Sequence, residues 1–527
     1  VKPVPRGEIL VSAEQAKALD REASSSWGLD PFALVEAAGR ACAGVFAGTY
    51  PGLFLNPGLR IAVAAGSGNN GADAMVMLRA LILNGHAAAE NCSLVISRVP
   101  GETEHTPGSE AFRALRAMGA AWLPWDTRRE DSGKALESAD LIIDGIAGTG
   151  LRDRLRGDPL EMAGLINSLE NSFVVSVDVP SGCGDTREAD WPVIYASATL
   201  AVEPVKSCLY HPVSRTAAGH ILPVTGIFPK ELQESHGSTY LWDWDAAQKI
   251  IPPVNPDDYK YTRGTVEIRA GSQGSAGAAR IAARGAQAAG AGLVRLLADR
   301  DLYPILASGS GGVMVDDGDT ALSGDGRFTP DAMLLGPGWG TDDSRLPVLR
   351  RALDAESRGT ALVLDADAIT LSRDFEFHGS VILTPHAGEL ARYAGISKEE
   401  ALASPGTILA RLSREKKAVI IFKSHVTWIS SPDGRLAAVD GMTPALAAGG
   451  SGDLLAGLCA GIAGRTAKRQ PRGDLFSAAV AAAALLTAAG KAAAADSGFC
   501  DPLTIAEAAA KLAGAAWMGG VRGQRHG

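Results

Sequence analysis

No two of the six cysteines (Cys42, Cys92, Cys183, Cys208, Cys459 and Cys500) stand in a CxxC spacing, and all lie far apart along the chain. That pattern gives no sign of a zinc ribbon or a disulfide framework, and it fits a reducing, cytoplasmic setting. Basic residues are also in deficit, 50 Lys and Arg against 59 Asp and Glu, for a net charge of -9 at pH 7. A chain without a broad positive field is not expected to take nucleic acid as its main partner, although single Lys and Arg sites can still hold a phosphorylated metabolite. Long hydrophobic runs are lacking too. The N-terminal VKPVPRGEILVSAEQ has no apolar stretch of the signal-peptide kind. The most apolar segment, AAVAAAALLTAAG at 478–490, is shorter than the ~20 residues of a membrane span. It is mostly alanine, so a buried helix is expected there and no membrane association.

What is present is alanine, glycine and a rhythm. A length of 527 residues favours roughly two to four domains. In the first half, short apolar runs at 60–66, 92–99, 140–146 and 173–179 alternate with helical patterns. The rhythm restarts at 265–271 and continues at 331–338, 360–367, 380–386 and 418–424. Alternation of this kind implies βαβ units and mostly parallel sheets. Between the halves, 230–258 is polar, proline-bearing and weakly periodic. Two α/β domains are therefore expected, over 1–235 and 236–527, each with a ligand crevice beyond the carboxyl ends of its strands.

In the first half, the polar motifs sit where such a crevice would be. GSGNNGADA (66–74) follows the first strand, DGIAGTG (144–150) a later one and DVPSG (178–182) another. Each of Asp144 and Asp178, taken alone, reads more commonly as the cap of the next helix or turn. Three polar strand ends in one small domain favour a shared crevice. Asn70, Asp144 and Ser181 offer oxygen atoms only, which suits an alkali or alkaline-earth ion rather than zinc.

These motifs, together with LVEAAGRA (34–41) and the extension LRDR (151–154), resemble the YjeF N-terminal type of NAD(P)H-hydrate epimerase over roughly residues 10–230. The resemblance implies a Rossmann-like domain with potassium held by Asn70, Asp144 and Ser181. It also implies a hydrated nicotinamide nucleotide held by Asn69, Asn70, Gly71, Ala72, Asp73, Gly148, Thr149, Gly150, Leu151, Arg152, Asp153 and Arg154, with Asp178 as the acid/base. Where the family pattern reads NNGGDG this chain reads NNGADA, so two extra methyl groups are expected to crowd the turn.

The second half carries AGSQGSAGAARIAA (270–283), GPGWG (336–340), LDADAI (364–369), LTPHAGE (383–389), FKSHVT (422–427) and AGGSGD (448–453). A glycine-rich turn opening a helix aims free N–H groups at one spot and favours negative charge there. Asp453 suits that anion site only if it takes a proton from a group about to attack a phosphate. In this order the motifs resemble the ribokinase-like superfamily, and within it the NAD(P)H-hydrate dehydratase branch, over roughly 240–515. The resemblance implies a nucleotide donor, ADP with ATP as the alternative, together with magnesium, on Lys423, Ser424, His425, Val426, Thr427, Gly450, Ser451 and Gly452. The hydrate would lie on Ala278, Gly340, His386 and Asp453, with Asp453 as catalytic base. His386 could also be a structural hydrogen-bonder; its place at a strand end points to substrate.

The combined reading is a cytoplasmic repair enzyme, with homo-oligomerisation left open, acting on hydrated NADH, hydrated NADPH and ADP. The rival reading is a ribokinase-like small-molecule kinase with a non-catalytic nucleotide-binding first domain.

Overall fold

The computed structural model describes residues 7–101, 103–318, 329–469 and 474–518. The chain divides into two compact units, one of Ile9–Thr239 and the other built on the chain from Tyr240 onward.

The sheet of the first unit contains β1 (Ile61–Ala65), β2 (Cys92–Ile96), β3 (Ala121–Pro124), β4 (Leu141–Gly145), β5 (Phe173–Val177), β6 (Ala198–Val202) and β7 (His220–Val224). Among the described residues their order is β3-β2-β1-β4-β5-β6-β7, and every pairing is parallel. The strands are short apolar runs because both faces are covered. Ile61 and Val63 face a core shared with the helices Pro31–Thr49 and Asn69–Leu83, while Ala62 and Ala64 face a second core with Met162 and Ile166. Strand order reverses between β1 and β4, so the loops after these strands splay apart and leave a crevice at their carboxyl ends.

The second unit repeats the principle with β8 (Thr265–Arg269), β9 (Leu293–Ala298), β10 (Met314–Asp317), β11 (Ala332–Leu335), β12 (Ala361–Leu364), β13 (Val381–Leu383), β14 (Ala418–Phe422), β15 (Val426–Ser430) and β16 (Leu436–Asp440). They run in the order β10-β9-β8-β11-β12-β13-β14-β15-β16. Pairing is parallel as far as β14, then antiparallel through β15 and β16. Here the order reverses between β8 and β11.

The alanine and glycine content becomes intelligible in the helices behind this sheet. Helix Ala276–Ala288 lies backbone to backbone on Ser451–Arg469: a Cβ on Gly457 would stand 2.1 Å from the Ala282 carbonyl oxygen, and one on Gly461 would stand 2.6 Å from that of Ala286. Small residues permit that approach, and the approach fixes the helix that carries Asp453. Gly457→Ala is a direct test. Alanine gains about 1 kcal/mol of helix propensity over glycine, but the added methyl cannot fit without parting the two helices, an overpacking cost of about 2 kcal/mol. Net destabilisation is expected in thermal or urea unfolding, and a more stable variant would contradict this packing.

The apolar segment at 478–490 belongs to a longer helix, Leu475–Ser497, of 23 residues. Length therefore does not exclude a span. Burial of 78% of its most apolar window does place it in the core, where it packs beside Ser451–Arg469 and Pro502–Met518.

Candidate active sites

In the first unit, a cavity of about 1100 Å³ opens at the carboxyl ends of the strands. Asn69, Asn70, Gly71 and Asp73 reach it from the loop and helix after β1, Gly148, Thr149 and Gly150 from the loop after β4, and Asp178 from the end of β5. Of the remaining expected residues, Leu151 packs against the second core, and Arg152, Asp153 and Arg154 are exposed outside the lining. Asp153 is taken up by the Arg154 N–H at 2.8 Å and by the Arg156 guanidinium. The expected crowding at NNGADA does not occur. Residues 69–74 form the start of helix Asn69–Leu83 rather than a turn, so Ala72 and Ala74 take ordinary helical angles and bury their methyl groups. The tight glycine is Gly71, whose Cβ would stand 2.2 Å from the Gly66 carbonyl oxygen, and it is retained.

Asp178 has a φ of +64°, rare for a residue with a side chain, and its N–H donates to the Leu200 carbonyl at 2.9 Å. Strain of this kind costs about 1–3 kcal/mol and collects at functional positions. The Lys206 ammonium lies 2.7 Å from Asp178 Oδ1 and donates to the Val202 carbonyl at 2.9 Å. Asp20 and Asp73 line the same cavity. Burial, reinforced by the charge of Asp178 and opposed by Lys206, holds the Asp73 carboxyl well above the ordinary range. Asp20 is raised by burial as well, with Lys206 opposing.

Behind this cluster, Asp144 is fully buried and accepts four hydrogen bonds. Ser181 Oγ (2.5 Å) and the Ile146 N–H (3.2 Å) donate to Oδ1, while Ser176 Oγ (2.7 Å) and the Ser181 N–H (2.9 Å) donate to Oδ2. Burial nevertheless outweighs these hydrogen bonds and raises its pKa, and no cation pairs with it among the described residues. Nearby, both polar atoms of the Asn70 side chain are buried without a hydrogen-bond partner. Asn70 would lie 3.0 Å from a Cβ on Gly148, in the same loop region as Ser181, whose Oγ accepts from the Ala147 N–H at 2.8 Å.

In the second unit, the strand ends again supply the polar groups. Asp365, at the end of β12, is buried; it accepts from Thr384 Oγ1 and forms an ion pair with Lys423, both at 2.6 Å. Lys423 follows β14, and its ammonium would stand 3.4 Å from a Cβ on Gly452, directly beneath the turn that carries Asp453. Burial alone would lower the Lys423 pKa, but Asp365, Glu389 and Asp453 together hold it above its usual value. Asp453, in the first turn of Ser451–Arg469, is pushed up to about 6 by burial and then by Asp365, against Lys423. Gly450 enters that helix with φ +94°; the Ser451 N–H donates back to the Ala448 carbonyl at 3.2 Å and the Leu454 N–H to the Gly450 carbonyl at 3.0 Å. The N–H groups of Gly452 and Asp453 are left for another acceptor.

GPGWG approaches the same point. A Cβ on Gly336 would stand 1.8 Å from the Asp365 carbonyl oxygen, Gly340 N–H donates to Asp367 Oδ2 at 2.7 Å, and Ala278 packs against Gly338. Asp367 thus braces the glycine loop rather than capping its own helix. His386 acts as a structural hydrogen-bonder. Nδ1 caps helix Ala387–Ala394 by accepting from Gly388 (3.0 Å) and Glu389 (3.3 Å), and Nε2 lies 3.3 Å from Glu389 Oε1 on a ring that is 55% exposed. Ser424 Oγ donates to the Val426 carbonyl at 2.5 Å; His425 is exposed, Thr427 half-buried and the Val426 side chain wholly buried, so Val426 has only its backbone to offer.

Sequence reasoning missed Asp20, Lys206, Asp365 and Glu389. Lys206 follows the strand ATLAV, whose alanine and threonine hid it, and Asp365 lay inside the quoted LDADAI, where it read as ordinary strand-to-helix punctuation.

Comparison with known proteins assigns each unit. The family described as NAD(P)H-hydrate dehydratase matches residues 266–511, and that described as YjeF-related protein N-terminus matches residues 31–208. A bifunctional NAD(P)H-hydrate repair enzyme of Moorella thermoacetica is 30% identical over 479 residues, 87% of this chain and 88% of that one. Its counterpart in Salinibacter ruber is 30% identical over 86% of this chain and 87% of its own, and that of Escherichia coli 27% over 86% and 84%. Among solved structures, a ribokinase-like superfamily protein of Enterococcus faecalis is 25% identical, covers 53% of this chain and 96% of its own, and has a TM-score of 0.47. An ADP/ATP-dependent NAD(P)H-hydrate dehydratase of Bacillus subtilis, co-crystallized with ATP/Mg2+, is 24% identical over 52% and 96%, with a TM-score of 0.46. Since both units are matched in order within single relatives along nearly their whole length, the chain belongs to the family of bifunctional NAD(P)H-hydrate repair enzymes.

Proposed function

We propose that this chain repairs hydrated nicotinamide nucleotides in two steps, epimerising the R and S hydrates in the first unit and dehydrating the S form in the second with ADP, or ATP in its place, as phosphoryl donor. The carrying observation is the placement of Asp453. A half-buried carboxyl with a pKa of about 6 stands in the N-terminal turn of a helix, where free N–H groups and the dipole favour a transferring phosphoryl group.

Asp453 takes the proton of the C6 hydroxyl as it attacks the donor phosphorus. Hydroxide is a poor leaving group and phosphate a good one, so the phosphorylated carbon then expels phosphate with electron push from the ring nitrogen. The Lys423–Asp365 pair fixes the floor beneath Asp453. Among the described residues no cluster of three His, Cys, Asp or Glu side chains can hold a metal ion, so magnesium would arrive on the donor phosphates, largely hydrated.

In the first unit the residues fit an alkali ion. Asn70 has an unpartnered buried amide oxygen and Asp144 a buried charge without a counter-ion, and Ser181 adds a hydroxyl. Potassium held there would supply fixed positive charge that orders the loop 148–150. Asp144→Ala is expected to weaken R-hydrate binding about tenfold or more and to remove any dependence of epimerisation on potassium. Loss of a buried, four-fold hydrogen-bonded carboxylate also leaves several donors unpaired, at about 1–3 kcal/mol each, so unfolding should be measured beside titrations in potassium and in a large organic cation.

The test of the whole reading is incubation of separated R and S hydrates of NADH with the protein, magnesium and ADP or ATP. Dihydropyridine absorbance should return from both hydrates, with release of free phosphate. A stable phosphorylated product would instead favour a small-molecule kinase.

A further inference from the structure

Epimerisation at C6 sets a requirement that one carboxylate does not meet. Hydroxide must leave from one face of the ring and water must return to the other, so two proton-handling groups are needed, in opposite protonation states. Asp178 can serve one face, held as an ion pair 2.7 Å from Lys206. Of the other carboxyls in the cavity, Asp73 projects from the first turns of helix Asn69–Leu83 and lines the same cavity as Asp178 and Lys206 from a different element. Its Oδ1 is buried with no hydrogen-bond partner, and no cation pairs with it among the described residues. Enclosure of that oxygen without a donor disfavours the ionised form of the carboxyl.

We propose that Asp73 is the second catalytic group of the epimerase, giving its proton to the departing C6 oxygen while Asp178 takes one from the incoming water. The proposal rests on reading the first unit as a hydrate epimerase. The ring nitrogen lone pair forms the N1=C6 bond as the C6–O bond breaks, and the oxygen leaves as water with the Asp73 proton. A second water adds through oxygen to the opposite face of C6, the N1=C6 electron pair returns to nitrogen, and Asp178 holds the released proton. One water leaves and one enters. Asp73 ends ionised and Asp178 protonated, so the reverse inversion runs with the roles exchanged. Burial and the neighbouring charges of Asp178 and Asp20, which raise the Asp73 pKa against Lys206, favour this division of labour.

The experiment uses the full chain and purified R hydrate without a phosphoryl donor, so that only inversion is read. Asp73→Asn is expected to slow epimerisation about 10²–10⁴-fold and to abolish the high-pH limb of the rate profile, which in the native protein falls as Asp73 loses its proton. Asp73→Glu should restore part of the rate and the limb. Water labelled with heavy oxygen should place one label at C6 for each inversion. Donor-dependent dehydration of the S hydrate is the control for folding. Near-native epimerisation by Asp73→Asn, or loss of the limb in Asp20→Asn but not in Asp73→Asn, would overturn the proposal. If the native chain does not epimerise at all, it is the assignment of the first unit that fails.

Discussion

Asp453→Asn is expected to slow donor-dependent dehydration of the S hydrate by about 10²–10⁴-fold while donor affinity stays close to native. Asparagine keeps the size of the side chain and leaves the helix N-terminus intact, but it cannot accept the proton of the attacking hydroxyl. The native pH profile should carry the same signature. With Asp453 pushed up to about 6, kcat/KM should fall about tenfold for each pH unit below that value, and the residual activity of the variant should lack this limb. Stability should move the other way. A carboxyl whose folded pKa exceeds the unfolded value of 3.8 weakens folding wherever it is ionised. The variant should therefore melt no lower than the native protein above pH 6, and any advantage should fade as pH falls toward 3.8. Removing a charge that function placed beside Asp365 relieves repulsion at the expense of catalysis. Near-normal turnover with an unchanged acid limb would take Asp453 out of the mechanism.

How far such residues could be read in advance depended on whether local sequence or tertiary assembly places them. Strands β1, β4, β5, β8, β11, β12, β13 and β14 announce themselves as compact apolar runs, and site residues that follow them, such as Asn70, Asp144, Asp178 and Gly340, were legible for that reason, whereas Asp453 was legible from the glycine-rich turn that opens its own helix. Strands β6, β15 and β16 did not stand out, because ATLAV is rich in small residues and the β15–β16 hairpin alternates with polar positions. Lys206, which follows β6, was lost with its strand. Asp365 was visible as a letter but not as a partner: its role comes from Lys423, 58 positions along the chain, and only the parallel adjacency of β12, β13 and β14 brings the two to 2.6 Å. The alanine substitutions in NNGADA misled in the other direction. They were read as intrusions into a turn, whereas helix Asn69–Leu83 begins at Asn69 and alanine is the residue a helix accepts most readily.

Asp178→Asn is expected to leave the R hydrate converting only at its spontaneous rate, a loss of about 10²–10⁴-fold in catalysed epimerisation, with S-hydrate repair unaffected because Asp453 lies in the other unit. Asparagine is the right replacement on backbone grounds. At a φ of +64° most side chains are strained, but asparagine is among the few residues enriched there, so the loop between Val177 and Ser181 should hold its course. The Lys206 ammonium then loses its carboxylate and keeps the Val202 carbonyl at 2.9 Å. A buried cation stripped of its partner destabilises the fold by about 3–5 kcal/mol, so the first unit should unfold at lower temperature even though its backbone is unchanged. The double variant Asp178→Asn with Lys206→Met separates the two effects. Removing the orphaned charge should recover much of the stability and none of the epimerisation, since methionine fills the volume but no carboxylate has been returned to take the proton. Recovery of epimerisation in the double variant would mean that Asp178 serves the fold by neutralising Lys206 and that the proton is handled elsewhere in the cavity.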